Sequence, residues 1–368
     1  MSANHLSLIS LLRLRSFLQL GSLLLCARLL AADPTADATA KFLAGLPVRD
    51  TPLENYATLP EWTTHAVELD RAWKQFDDRQ LSKIRPWAAQ ALGPAYHEAG
   101  PMFYMFSGPD FLYANAFFPN ASTYILCGVE PVGPVPDLAK IPRNALPSSL
   151  ANLRRSLDSV LSFSFFITKN MKVDLKQTEL SGTLPVLYVF LARAGCTIDS
   201  VAPVFLDREG NFVPEGKGTT EGTKIVFTGA AGRPQTLYYF TTDVADWAVK
   251  VNPNFMKFCE QQGQGVSLLK AASYLMHSNN FSQVRGFLLD RSKVILQDDS
   301  GIPFRFFAKE KWDIDYHGRY IGPIRRFLKH GQLDLNKENA AAAPSPLPFS
   351  FGYQWQPSRS SLIVATAK

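Results

Sequence analysis

Histidine and cysteine are scarce in this chain, with six and four respectively among 368 residues. No Cys-x-x-Cys pair occurs, and no two histidines stand three or four residues apart, so the common zinc-ligand spacings are missing. The Gly-x-Ser-x-Gly elbow of serine hydrolases is missing too. So are the His-Glu-x-x-His helix, the phosphate-binding Gly-x-x-x-x-Gly-Lys-Ser/Thr loop and the dinucleotide glycine fingerprint. Gly229-Ala230-Ala231-Gly232 and Gly263-Gln264-Gly265 are the nearest glycine-rich pieces, and neither has the spacing. We therefore expect neither a bound metal nor a cofactor. Beyond residue 32 there is no apolar run of the roughly 20 residues that a membrane-spanning helix needs.

Acidic residues are absent from the first 32 positions. Arg13 and Arg15 precede the apolar run from Phe17 to Ala27, and Ala31-Ala32 close the segment. A basic start, a short apolar stretch and a small-residue end describe a secretory signal peptide over 1–32. A retained anchor is the alternative, because Arg28 and Leu30 sit where small residues are usual. On either reading the protein is exported, periplasmic or secreted. Half of the formal net charge of +6 belongs to Arg13, Arg15 and Arg28, so little basic excess is left for the rest of the chain. Nucleic acid is therefore a poor partner. Cys127, Cys196 and Cys259 are widely spaced in apolar surroundings, where buried thiols are expected before disulfides.

Twenty-five prolines and 26 phenylalanines imply a sizeable core built from short, punctuated elements. Residues 33–57 read as an extended lead-in. A single α+β domain is expected over 58–333, with a sub-boundary near 134–148, and 334–368 reads as an irregular C-terminal tail. Thr58-Leu59-Pro60-Glu61 has the form of a capping box opening an amphipathic helix. The aromatic runs in 102–129, separated by Gly, Pro, Asn and Asp, suggest a three-strand meander. A helix at 149–167, a buried helix at 183–194 and a hairpin of 224–228 with 236–241 follow. Helices are then expected at 243–249, 253–262, 266–276 and 281–290, and a strand pair at 294–297 and 304–307. Strict β-α-β alternation is absent. The fold class expected is thus α+β, a mainly antiparallel sheet built from hairpins with grouped packing helices.

Two polar clusters interrupt apolar surroundings. One holds Ser107, Asp110, Tyr113 and Asn115; the other is Gln297-Asp298-Asp299-Ser300. Carboxylates beside buried strands need a partner or a role, although local turn chemistry is the simpler reason for them. The catalytic candidates are Asp110, His277, Asp298 and Asp299, and the binding candidates are Ser107, Tyr113, Asn115 and Ser300. Residues 302–332 carry seven Lys or Arg against three acids, interleaved with Trp312, Tyr316, Tyr320 and Phe327. That mixture suits an envelope component or an anionic glycan.

The strings Phe106 to Asn115 (FSGPDFLYAN), Phe118 to Tyr124 and Gln297 to Phe304 (QDDSGIPF) resemble a group of uncharacterised exported bacterial proteins. The likeness covers most of 60–330. It implies bacterial export and transfers no activity, cofactor or site residue. The expected function is a binding or structural role in an exported soluble protein. A hydrolase acting on envelope or extracellular material through an Asp/His pair is the alternative.

Overall fold

The computed structural model describes residues 34–163, 165 and 180–368. The signal peptide expected over 1–32 lies outside the described residues. Ten strands form one mixed sheet in the order β4-β3-β5-β6-β2-β1-β7-β8-β10-β9. The five in the middle are mutually parallel: β6 (Pro234–Thr241), β2 (Thr123–Gly128), β1 (Pro101–Tyr104), β7 (Gly265–Leu269) and β8 (Ser292–Gln297). Antiparallel strands flank them. On one side lie β5 (Thr220–Thr228), β3 (Thr197–Leu206) and the short β4 (Phe212–Val213). On the other, β10 (Ser361–Ala367) is inserted between β8 and β9 (Trp312–Gly318).

Helices cover both faces. Side chains alternate along β1, so Met102 and Tyr104 join one core while Phe103 and Met105 join the other. The first core is closed by α1 (Pro34–Leu43), α2 (Pro60–Phe76), α3 (Ser82–Ala91), α4 (Phe111–Phe117), α5 (Leu146–Phe163) and α6 (Leu184–Arg193). The second is closed by α7 (Asp246–Val251), α8 (Asn254–Gln261), α9 (Ser282–Arg291) and α10 (Leu333–Ala342). Helix α6 is buried along Leu184 to Ala192, as its all-round apolar sequence indicates.

The α+β class holds, but the sheet is mixed rather than mainly antiparallel. The expected meander is a strand, a helix and a strand: Phe111 to Phe117 is helical, capped by Asp110, whose Oδ1 accepts from the Tyr113 amide at 3.3 Å. With six of its seven residues buried, this helix leaves no polar face to reveal its period. The helix expected over 266–276 is instead the fully buried β7, which like other central parallel strands is apolar on both faces. Phe304–Phe306 is a turn of 3-10 helix, not a strand.

The two ends also differ from expectation. In place of an extended lead-in, α1 is packed against α6, with Phe42 and Leu43 fully buried. The tail expected over 334–368 contains α10 and the interior strand β10. Thr58 does not cap α2; its hydroxyl donates to the Asn55 carbonyl, and Leu59 holds the cap position. Cys127, Cys196 and Cys259 are buried free thiols, and burial pushes Cys127 and Cys196 up to about 12. No helix among the described residues is long and apolar enough to cross a membrane.

Candidate functional site

From β1 the chain steps to β2 and then to β6 on one side, whereas β7 and β8 are added on the other. The loops leaving the carboxyl ends of β1 and β7 therefore diverge. In open α/β sheets that divergence opens the crevice where ligands bind. A cavity of about 240 Å³ lies there. Its walls come from the carboxyl ends of four parallel strands: Phe106, Ser107 and Gly108 after β1, Gly128 and Glu130 after β2, Asp243 after β6, and Lys270 to Ser273 after β7.

Its floor carries a buried ion pair. Lys270 Nζ lies 2.9 Å from Asp110 Oδ2, with both side chains almost fully enclosed. The Tyr104 hydroxyl donates to the same carboxylate oxygen at 3.0 Å, and Lys270 Nζ stands 3.9 Å from the centre of the Tyr113 ring. Burial, and then the Asp110 charge, hold the Tyr104 phenol well above its ordinary range. Asp110 thus caps α4 with one oxygen and neutralises Lys270 with the other. Glu130 is also buried, at 4% exposure, but no Lys, Arg or His pairs with it among the described residues. Its Oε2 lies against Gly128, where a Cβ would collide with it. Among the described residues the cavity is lined by one cation, Lys270, and three carboxyl groups, those of Asp110, Glu130 and Asp243.

The backbone around the cavity is strained. Six described non-glycine residues have positive φ, and four of them, Phe106, Ala271, Ser273 and Tyr274, are in the two loops that diverge. Each left-handed residue costs about 1 kcal/mol or more, and such strain gathers at functional sites. The loop after β7 is held by the turn after β8. Asp298 Oδ2 accepts from the Ala271 amide at 3.2 Å, Ser300 Oγ accepts from the Ala272 amide at 2.7 Å, and the Ser300 hydroxyl donates to Asp298 Oδ1 at 2.6 Å. Burial raises the Asp298 carboxyl; burial and the neighbouring Asp298 charge raise that of Asp299.

No family model matches this chain, and no curated protein matches it either.

The two polar clusters picked out in the sequence therefore meet, with Lys270 and Ala271 between them. Asp110 and Ser107 line the cavity, although the Ser107 hydroxyl donates to the Gly108 carbonyl at 2.7 Å. Tyr113 lies under Lys270. Asp298 and Ser300 brace the wall from behind. Asn115 is elsewhere, donating to the Tyr124 hydroxyl at 3.3 Å. Asp299 accepts from the Tyr274 hydroxyl at 2.8 Å. His277 reaches the Asp299 carbonyl at 3.3 Å, not a carboxylate, and burial holds its ring down at about 4. Among the described residues no group of three or more His, Cys, Asp or Glu is arranged to hold a metal ion. Sequence reading missed Lys270, Glu130 and Tyr104. The one available signal was Lys270, the only charge in the apolar run from Val266 to Met276.

Proposed function

We propose that this is an exported binding protein, periplasmic or secreted, that holds a small organic ligand in the cavity at the ends of β6, β2, β1 and β7. The observation that carries this reading is the cavity's position at the point where strand order reverses, between two strained loops. Lys270 is paired with Asp110, which leaves Glu130 and Asp243 as the carboxyl groups a ligand meets. A buried carboxylate without a cation favours a ligand that brings ammonium or hydroxyl donors. The rings of Phe106 and Phe281, 5.8 Å apart at the cavity's edge, supply an apolar face for the same molecule. Its size suits a molecule on the scale of an amino acid or a monosaccharide. The hydrolase alternative needs His277 beside a carboxylate in this cavity, and no observation favours it.

Three probes of similar size test the proposal: glucosamine, glucose and glucuronate. Glucosamine is expected to raise the unfolding temperature most and glucuronate least. Glu130→Gln should abolish the preference for the amine. No shift with any probe, or the largest with glucuronate, would overturn the reading.

A further inference from the structure

On the same side of the molecule, the segment 319–333 combines free positive charge with exposed leucine. We propose that Arg305, Arg325, Arg326 and Lys329, together with Leu328 and Leu333, form a surface that docks on an anionic lipid bilayer. This rests on the export proposed above and adds a membrane partner to it, and it does not depend on what the cavity holds.

Charge is the first support. None of these four cations forms an ion pair among the described residues. Arg305 and Lys329 line one open cleft of about 500 Å³ with His277 and His330. The one carboxylate there, Asp334, accepts from the Leu335 amide at 2.9 Å. Apolar exposure is the second. Leu328 is 65% and Leu333 88% exposed, and Leu333 also lines the cleft. Both are large apolar side chains left mostly in water.

The segment is pinned from behind. Phe327 lies 4.9 Å from the Tyr274 ring and 5.0 Å from that of Tyr353, and His330 stacks on Tyr274 at 4.9 Å. Arg326 lies over Phe327 and Arg305 over Phe306. The cations are thus presented from a fixed base. A soluble polyanion would use the charges and leave both leucines in water. A bilayer uses the two together, drawing the cations to its headgroups and receiving the leucines at the acyl boundary. Tyr353 also lines the cavity, so a docked surface would bring the cavity's mouth close to the membrane.

Sedimentation of the full chain with vesicles tests this, comparing phosphatidylcholine alone with phosphatidylcholine containing phosphatidylglycerol. Stronger binding to the anionic vesicles is expected. At about 1 kcal/mol for each basic residue near the surface, Arg325→Gln with Arg326→Gln should weaken it about 25-fold. Leu328→Ser with Leu333→Ser should weaken it as well. The apolar stretch within 1–32 is common to all variants, so their differences report this surface alone. Wild-type binding by the arginine variant would overturn the proposal. So would wild-type binding by the leucine variant accompanied by tighter association with heparin, which would assign the surface to an anionic glycan. All six residues are exposed, and unchanged urea midpoints will show that each variant is folded.

Discussion

Lys270 is the residue on which the cavity floor depends. It is an ammonium enclosed almost completely, with Asp110 as its counter-charge and Tyr113 beneath it. Removing one partner of a buried pair leaves an uncompensated charge, at a cost of about 3–5 kcal/mol. Lys270→Met should therefore lower unfolding free energy by that amount in urea titrations. Adding Asp110→Asn should recover most of the loss, since asparagine still caps α4 and no charge is stranded. A single variant as stable as the wild type would show that the pair is not what holds the loops after β1 and β7 together. Little of this was legible in the sequence. Asp110 stood out because it sits in a turn among aromatics. Its partner lies 160 positions away in a run whose apolar pattern fits a helix and a buried strand equally well.

At the scale of elements, α1 shows how a buried attachment can hide in an unremarkable stretch. Its Ala-rich sequence has no strong period, and its neighbours are supplied by elements far along the chain. Helix α2 holds it by two side-chain bonds to its carboxyl end. Trp62 Nε1 donates to the Phe42 carbonyl at 3.0 Å, and His65 Nε2 donates to the Leu43 carbonyl at 2.8 Å. His65 Nδ1 accepts from Arg154 at 3.0 Å, which fixes the ring as the neutral tautomer. Burial is the main cause of its pKa falling from 6.5 to about 4. Because the folded value lies below the unfolded one, the contribution is complete above pH 6.5 and is lost as pH falls towards 4. Over that window the loss is on the order of 3 kcal/mol for a fully enclosed ring. Denaturant midpoints at pH 7 and pH 4.5 should differ accordingly, and His65→Gln should lose that share while keeping the parts that belong to His277, His317, His330 and Asp299. A variant with the full wild-type pH dependence would remove His65 from this account. The elements that were legible, among them α2, α6, α8, α9 and the β5–β6 hairpin, are those whose pattern is set by their own residues. The fully buried pieces, α4 and β7, show no polar face, and α1 and β10 depend on distant partners.

The molecule as a whole is a mixed sheet whose parallel centre is built before its antiparallel flank is complete. Composition made a large core and an α+β class legible, but strand order is set by contacts across hundreds of residues, and no local pattern encodes it. Strand β9 touches the sheet only through β10, pairing along its full length from Ser361↔Gly318 to Ala367↔Trp312. A chain stopped at Ser360 should therefore lose protection of the 312–318 amides in hydrogen exchange. The amides of β1, β2 and β6 should exchange more slowly than those of 312–318. Equal protection of 312–318 with and without 361–367 would mean that β9 is held in some other way.

That insertion also sets a clock. Strand β9 leaves the ribosome more than forty residues before the strand that will hold it, and β8 waits longer still for the same neighbour. During synthesis Val294, Ile295 and Leu296 pair with β7 on one edge while the other edge, which β10 will cover, stays open. The order of the strands thus delays the finished fold until residue 367 is free to move. A chain that cannot close early stays threadable for longer.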